Sequence, residues 1–282
     1  MPELPEVEYV RQNLAKWLQG ARIVVAHTKD RNVVKGTPKA FASKLEGRTV
    51  TEVGRRGKWL RLLLDDGTRV FSHLGMTGWF EKDKNDRFER ARLEVEKGGR
   101  RSIVRYVDTR RWGSIVVTKE DTPSWKKLGP DPLLEGIDAK RLAEKLAKRT
   151  RRTIKEVLMD QSVLAGIGNI QAIEALWKAG IDPRSSAAAL DAQAIAEIVR
   201  GLKWTIKRTL ADLQKGDAGA ENPFMVYGRK GSPCPRCTTL LERIELGGRT
   251  TTFCPGCQTL KKAKSVRKSS VRKKKVNKKR TK

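Results

Sequence analysis

Acid is missing from the end of this 282-residue chain: Lys261 to Lys282 hold 13 Lys or Arg and no Asp or Glu. The basic excess is not confined there. Lys and Arg number 61 against 32 acids, a net charge of +29, and setting aside the tail's 13 leaves +16 on the rest. A body this basic suits a polyanion, and nucleic acid is the commonest one. Also missing is any long apolar span or amphipathic basic helix, which weighs against a membrane as that polyanion. The opening residues carry neither a basic leader nor an apolar core, so no secretory signal is expected. The chain reads as soluble, cytoplasmic or nucleoid-associated. Cysteines number only four and histidines two. All four cysteines lie near the C-terminus, and their spacing argues against a disulfide framework.

What those cysteines spell is Cys234-x2-Cys237-x16-Cys254-x2-Cys257, a zinc-ribbon pattern. Each Cys-x-x-Cys can sit on a tight knuckle that points two thiolates at one ion, and four close a tetrahedral structural Zn2+ site. Pro233, Pro235, Pro255 and Gly256 are fitting knuckle residues. A redox pair or free thiols is the competing reading, and two such pairs at this spacing favour the ribbon.

The length allows about two domains. From Ala21 to about Thr118 the pattern is mostly β. Ile23-Val24-Val25 is a short apolar run, and Trp59–Leu64 and Val70–Leu74 flank the turn Asp65-Asp66-Gly67. Arg92–Glu96 and Ser102–Val107 alternate around Gly98-Gly99, and Ile115-Val116-Val117 closes the series. These strands predict a sandwich or barrel. Prolines and glycines between Asp121 and Gly136 mark a boundary. Helical patterns follow over Ala139–Arg149, Thr153–Met159, Ile170–Lys178 and Asp191 to about Leu213. The expected division is 1–120, a linker 121–136, a helical part 137–220, a loop and ribbon 221–260, and a disordered basic tail 261–282. The tail reads equally as added DNA affinity or as a solvating segment.

The beginning of the chain, Pro2-Glu3-Leu4-Pro5-Glu6-Val7-Glu8, precedes an apolar stripe of Val7, Val10, Leu14, Trp17 and Leu18 at helical spacing. Glu6 and Glu8 suit the positive end of that helix. Removal of Met1 would leave Pro2 as a free secondary amine beside the Glu3 carboxylate. Alone, the stretch also fits a capped amphipathic helix and nothing more. In the helical half, Gln161-Ser162-Val163-Leu164-Ala165-Gly166-Ile167-Gly168-Asn169 predicts a tight turn with exposed N–H groups able to hold a phosphate, or a plain loop.

Taken together these stretches resemble the bacterial formamidopyrimidine-DNA glycosylases, from Met1 to about Leu260. The resemblance implies an α+β protein. Its N-terminal part would be a two-layered β-sandwich with an N-terminal helix. Its C-terminal part would be a helical helix–two-turn–helix domain with a zinc ribbon. The implied activity is a bifunctional glycosylase and AP lyase of base excision repair. Such an enzyme, expected as a monomer on duplex DNA, excises 8-oxoguanine and formamidopyrimidines. A base inside a duplex cannot be attacked at C1′ of its sugar, so the nucleotide must be flipped out. An amine nucleophile then gives a cationic imine, the electron sink for β,δ-elimination. Pro2 suits this role, since α-amino groups titrate near ~7.7–8.0 and a neighbouring cation lowers that further. Glu3 would move protons as general acid and base, and Glu6 would order the helix start.

The same resemblance places Lys58 and His73 on phosphates at the lesion, and Asn169 and Arg249 on the DNA backbone, with Lys155 a second candidate near Asn169. Met76, Arg110 and Trp112 would fill the vacated space, and Glu221-Asn222-Pro223-Phe224 would cover the extruded base. Three positions depart from the family pattern: Trp112 for a usual Phe, Gln171 for a usual Tyr, and Ile173 for a small or acidic residue. Two rivals are weighed. The sister enzymes for oxidised pyrimidines begin Pro-Glu-Gly-Pro-Glu, whereas Leu4 stands here. A DNA-binding module that has lost the chemistry would not need Pro2, Glu3 and Lys58.

Overall fold

The structure is a computed structural model and describes residues 2–149, 151–216 and 223–262. Met1, Glu221, Asn222 and the basic tail from 263 on therefore lie outside the described residues.

Helix α1 (Leu4–Leu18) forms where the apolar stripe predicts it, with Pro5 in its first turn and the Glu6 carboxylate accepting the Glu3 N–H at 2.9 Å. That reciprocal end-capping satisfies a donor the helix itself cannot. Val7, Val10, Leu14 and Leu18 are buried, and Trp17 packs half-buried beside them. They meet two four-stranded antiparallel sheets. One contains β1 (Arg22–Thr28), β6 (Glu89–Lys97), β7 (Arg100–Val107) and β5 (Trp79–Lys82), in that order. The other runs β2 (Val50–Arg56), β3 (Trp59–Leu64), β4 (Arg69–His73) and β8 (Ser114–Thr118). Leu60, Leu62, Val70 and Ile115 from the second sheet share one core with Ala26, Leu93, Val104 and Tyr106 from the first. Of the two β architectures the sequence allows, the molecule takes the sandwich. A short helix α2 (Pro38–Leu45), capped by the Thr37 hydroxyl, closes one end with Phe41 and Leu45.

After a helical turn α3 (Pro123–Lys126), the helices α4 (Ala139–Ala147), α5 (Ile154–Leu158), α6 (Asn169–Ala179) and α7 (Ala192–Lys215) bury a second core. Leu4 belongs to this one, not to the sandwich core that holds the rest of α1. The Leu4 N–H donates to Gly166 O at 3.1 Å, and a Cβ on Gly166 would stand 2.8 Å from the Leu4 side chain. The chain's first turn is thus clamped between the two halves. A third cluster joins Ile173 and Trp177 of α6 to Val226, Cys234, Leu241 and Cys254, under the hairpin β9 (Glu242–Leu246) and β10 (Arg249–Phe253). Ile173, a departure from the family pattern, is therefore a packing residue against the ribbon.

The Pro- and Gly-rich stretch 121–136 carries a fixed joint. Asp131 is fully buried and accepts from both Arg55 terminal nitrogens, at 2.5 and 3.1 Å, and from the N–H groups of Gly57, Leu133 and Leu134. The Arg55 Nε reaches Glu8 of α1 at 2.9 Å. Glu8, Arg55 and Asp131 thus tie α1, β2 and the linker together, and they hold the 57–58 turn. Removing one partner of such a pair leaves an uncompensated buried charge, at a cost of ~3–5 kcal/mol. Asp131→Ala should lower the unfolding free energy by about that much in urea titrations, and a loss under about 1 kcal/mol would contradict the assignment.

Candidate active site and nucleic-acid interface

Glu3 is buried at the junction of the two halves. Its carboxylate accepts from the N–H groups of Gly168 at 3.1 Å, Ile170 at 2.9 Å and Gln171 at 3.0 Å, the open donors at the start of α6. The glycine turn therefore does hold an anion, but an internal one. The expectation of exposed donors for a phosphate at this turn is corrected: Glu3 occupies them, and Gly166 and Gly168 are buried. Gln161 shapes the turn, donating to Met159 O and Ile167 O at 2.8 Å each and accepting from Gly166 N at 2.8 Å. Only glycine fits at 168, because a Cβ there would lie 2.3 Å from the Glu3 carboxyl carbon and 2.6 Å from Lys58 Nζ.

Lys58 sits in the tight turn just before β3, not in the strand itself. Burial lowers the pKa of its ammonium, Glu3 and Glu6 pull it back up, and the Arg249 charge pushes it down again, with a net decrease. Glu6 moves the other way, raised by burial and then by the Glu3 charge. Lys155 is buried with its Nζ 3.3 Å from Leu246 O, and burial followed by Arg249 brings it down to about 8. A carboxylate on a helix N-terminus is thus ringed by Lys58, Lys155 and Arg249, with Pro2 directly before it in the chain.

His73 ends β4 and pairs with Trp59 across the strands, their rings 5.0 Å apart. Burial, then the Lys58 charge, depresses it to about 4, so the ring is neutral at pH 7. Its Nδ1 accepts the Gly75 N–H at 3.1 Å, which leaves the proton on Nε2 as an outward donor. Met76, Arg110 and Trp112 come together from two loops: Arg110 Nη1 lies 3.7 Å from the Met76 sulfur, and its guanidinium stands 5.7 Å from the Trp112 ring centre. Trp112 is 63% exposed, an unusual place for an indole without a partner.

Asn169 opens α6, and its amide nitrogen donates to Thr250 O of β10 at 2.9 Å, while its buried Oδ1 is without a partner. It therefore ties α6 to the ribbon, with Arg249 beside it at the start of β10. Gln171, where a Tyr is usual, is fully buried and bonds Thr209 of α7 at 3.2 Å. Of the loop expected over the base, Pro223 and Phe224 are described; Pro223 O accepts from Arg208 at 2.7 Å. Sequence reasoning missed Asp131, and also Glu174, a buried carboxylate that accepts the N–H groups of Met225, Val226 and Tyr227 at 2.9 Å each. No local pattern marks either one.

The four cysteine sulfurs lie within 4.8 Å of one another, Cys234 to Cys257 at 3.8 Å and Cys237 to Cys254 at 3.4 Å. A tetrahedron with ~2.3 Å Zn–S bonds places its sulfurs about 3.8 Å apart, so the set fits one structural zinc. The Trp177 indole N–H points at Cys234 Sγ from 3.4 Å and links α6 to the site. No described helix is long and apolar enough to cross a membrane.

Residues 1–115 match the model of the formamidopyrimidine-DNA glycosylase N-terminal domain, 128–218 that of its H2TH domain, and 231–260 that of a zinc finger found in FPG and IleRS. A formamidopyrimidine-DNA glycosylase of Laribacter hongkongensis is 36% identical over 275 residues, covering 92% of this chain and all of that one. One from Desulfitobacterium hafniense is 35% identical over 277 residues, with the same coverage. Among solved structures, the Lactococcus lactis enzyme with Fapy-dG-containing DNA superposes with a TM-score of 0.82 at 30% identity, covering 91% of this chain and 99% of that one. The MutM protein of Thermus thermophilus gives 0.79 at 33% identity, covering 91% and 98%.

Proposed function

Because the chain belongs to the formamidopyrimidine-DNA glycosylase family, we propose that the groups gathered around Glu3 carry out that family's chemistry here. The protein is a DNA glycosylase with AP-lyase activity that acts on oxidised purines in duplex DNA. In our reading the freed Pro2 nitrogen bonds to C1′ of the flipped nucleotide as the bond to the base breaks. The base leaves with that electron pair and takes up a proton. The resulting imine cation draws electrons from the sugar, and the two phosphates are eliminated in turn. Glu3 exchanges protons with the sugar and base. Lys58 holds the adjoining phosphate and, as a nearby cation, keeps the amine unprotonated.

The observation that carries this reading is the placement of Glu3. A carboxylate anchored by three N–H groups and facing Lys58 would have no task in a mere binding module. Leu4 adds to it, because its side chain fills the helical core where the pyrimidine-specific sisters have glycine. His73, Asn169 and Arg249 take phosphates in this reading, and the charge on the body holds the enzyme on nucleoid DNA between lesions. Excision rates on duplexes carrying 8-oxoguanine or an oxidised pyrimidine test the substrate class: the purine should react faster, and the reverse order would overturn it.

Arg110 sets a further expectation. In the space left by the lesion its fork of donors faces the partner base. Cytosine offers N3 and O2 as adjacent acceptors, whereas adenine sets an amino donor beside N1. One lost bidentate match is worth ~1–3 kcal/mol, or about one to two orders of magnitude. Single-turnover excision opposite cytosine should exceed that opposite adenine by about this factor, and Arg110→Ala should flatten the ratio. Equal wild-type rates would remove Arg110 from the role.

A further inference from the structure

Arg110 and Trp112 stand on a short loop that has little reason to hold its shape. It runs from the end of β7 to the start of β8, and Arg111 at its centre adopts a φ of +57°, which a side chain of this size rarely takes unaided. One carboxylate fastens both sides of it. Asp108 is 1% exposed. Its Oδ1 accepts the Arg110 N–H at 3.1 Å and its Oδ2 accepts the Gly113 N–H at 2.8 Å, closing the loop on itself. The same Oδ1 accepts the Thr77 hydroxyl at 2.5 Å, and the Thr77 oxygen in turn accepts the Arg110 N–H at 3.2 Å. Thr77 is the residue after Met76, so this bond joins the loop bearing Met76 to the loop bearing Arg110 and Trp112.

The surroundings leave this arrangement no slack. Tyr106 stands behind it, and a Cβ on Gly113 or Gly78 would collide with the Tyr106 hydroxyl. A Cβ on Gly75 would lie 2.5 Å from the Trp112 backbone. On the outer side Arg111 makes a two-pronged ion pair with Asp30, at 2.6 and 3.0 Å. The loop backbone is pinned from within by Asp108 and from without by Asp30, while the Arg110 and Trp112 side chains stay exposed.

We propose that Asp108 is a positioning residue for partner-base discrimination, acting through the Arg110 backbone and through Thr77 to present Met76, Arg110 and Trp112 as one rigid wedge. It touches none of the reacting groups gathered around Glu3. The inference rests on the reading of Arg110 given above. Loss of the carboxylate would leave the Arg110 and Gly113 donors competing for fewer acceptors and would free the two loops to move separately. The energy that separates cytosine from adenine would then be consumed in ordering the loop.

Two variants test this in the full-length protein. Asp108→Asn keeps the shape but brings a donor amide against two N–H donors. Thr77→Val keeps the volume and removes only the bond between loops. The readouts are single-turnover excision of 8-oxoguanine opposite cytosine and opposite adenine, strand cleavage at a pre-formed abasic site, and fluorescence of 2-aminopurine placed opposite an abasic site. The cytosine-to-adenine ratio should fall by about tenfold in Asp108→Asn and severalfold in Thr77→Val, while abasic-site cleavage stays within about threefold. The 2-aminopurine signal should shift in both. A ratio that survives in both variants overturns the proposal. So does a ratio that falls only in step with abasic-site cleavage, because that marks a general structural loss. If Asp108→Asn does not fold, Thr77→Val carries the test alone. A wild-type ratio of one instead overturns the Arg110 reading beneath it.

Discussion

Protein freed of Met1 should become covalently trapped on 8-oxoguanine duplex DNA by borohydride, and protein with a blocked terminus should not. The reason lies in how little freedom the first residues have. The Glu3 N–H is held by the Glu6 carboxylate at 2.9 Å and the Leu4 N–H by Gly166 O at 3.1 Å, so the atoms leading to Pro2 are fixed on both cores. An acetyl group or a retained methionine turns the Pro2 nitrogen into an amide, whose lone pair is delocalised and cannot attack a carbon. Trapping and abasic-site cleavage should drop by at least about 10³-fold, the scale on which loss of a covalent nucleophile registers. Affinity for the same duplex should change little, because the wedge and ribbon are untouched. Pro2→Gly is a softer probe, since its primary amine can still form an imine. Equal trapping by blocked and free protein would show that another amine, Lys58 or Lys155 being nearest, is the nucleophile.

The parts of this site legible in the sequence are those set by local spacing. The stripe Val7-Val10-Leu14-Leu18 has helical period, Asp66-Gly67 and Gly98-Gly99 are turns, and two Cys-x-x-Cys pairs leave few alternatives. The elements that escaped have weak local signals. Strand β2 is mostly polar with a glycine inside, β5 is only four residues long, and α2 has just two buried positions. What the spacing cannot contain is pairing across distance. Glu3 meets Gly168, 165 residues away, and the turn that looked built for a phosphate already holds that carboxylate. Asp131, Asp108 and Glu174 likewise look like ordinary acids in the sequence. Burial with several backbone N–H groups gives each its role, and only the folded chain shows that.

The ribbon is where loss of one atom should be felt furthest. Cys237→Ser removes one of four thiolates from a site whose metal contributes ~10–16 kcal/mol of apparent folding energy in small zinc domains. The ribbon has little else: its own apolar cluster holds Val226, Cys234, Leu241 and Cys254 against Ile173 and Trp177, so two of the four ribbon members are themselves ligands. When it opens, Arg249 leaves the neighbourhood of Lys58, Lys155 loses Leu246 O, and Asn169 loses Thr250 O. These cations and this amide form one face, so binding should fall by more than about 10²-fold and the slope of log affinity against log salt should flatten by at least about one. The sandwich core contains no ribbon residue, so the β-sheet transition in circular dichroism should persist. Glu3 should suffer in part, since its three donors belong to α6, whose far end is held by Trp177 at Cys234. Cleavage of an abasic site at saturating protein therefore ought to slow as well, more than Arg249→Ala alone would slow it. One zinc per chain by elemental analysis is the expected stoichiometry, and a metal-free protein with undiminished affinity would refute the coupling.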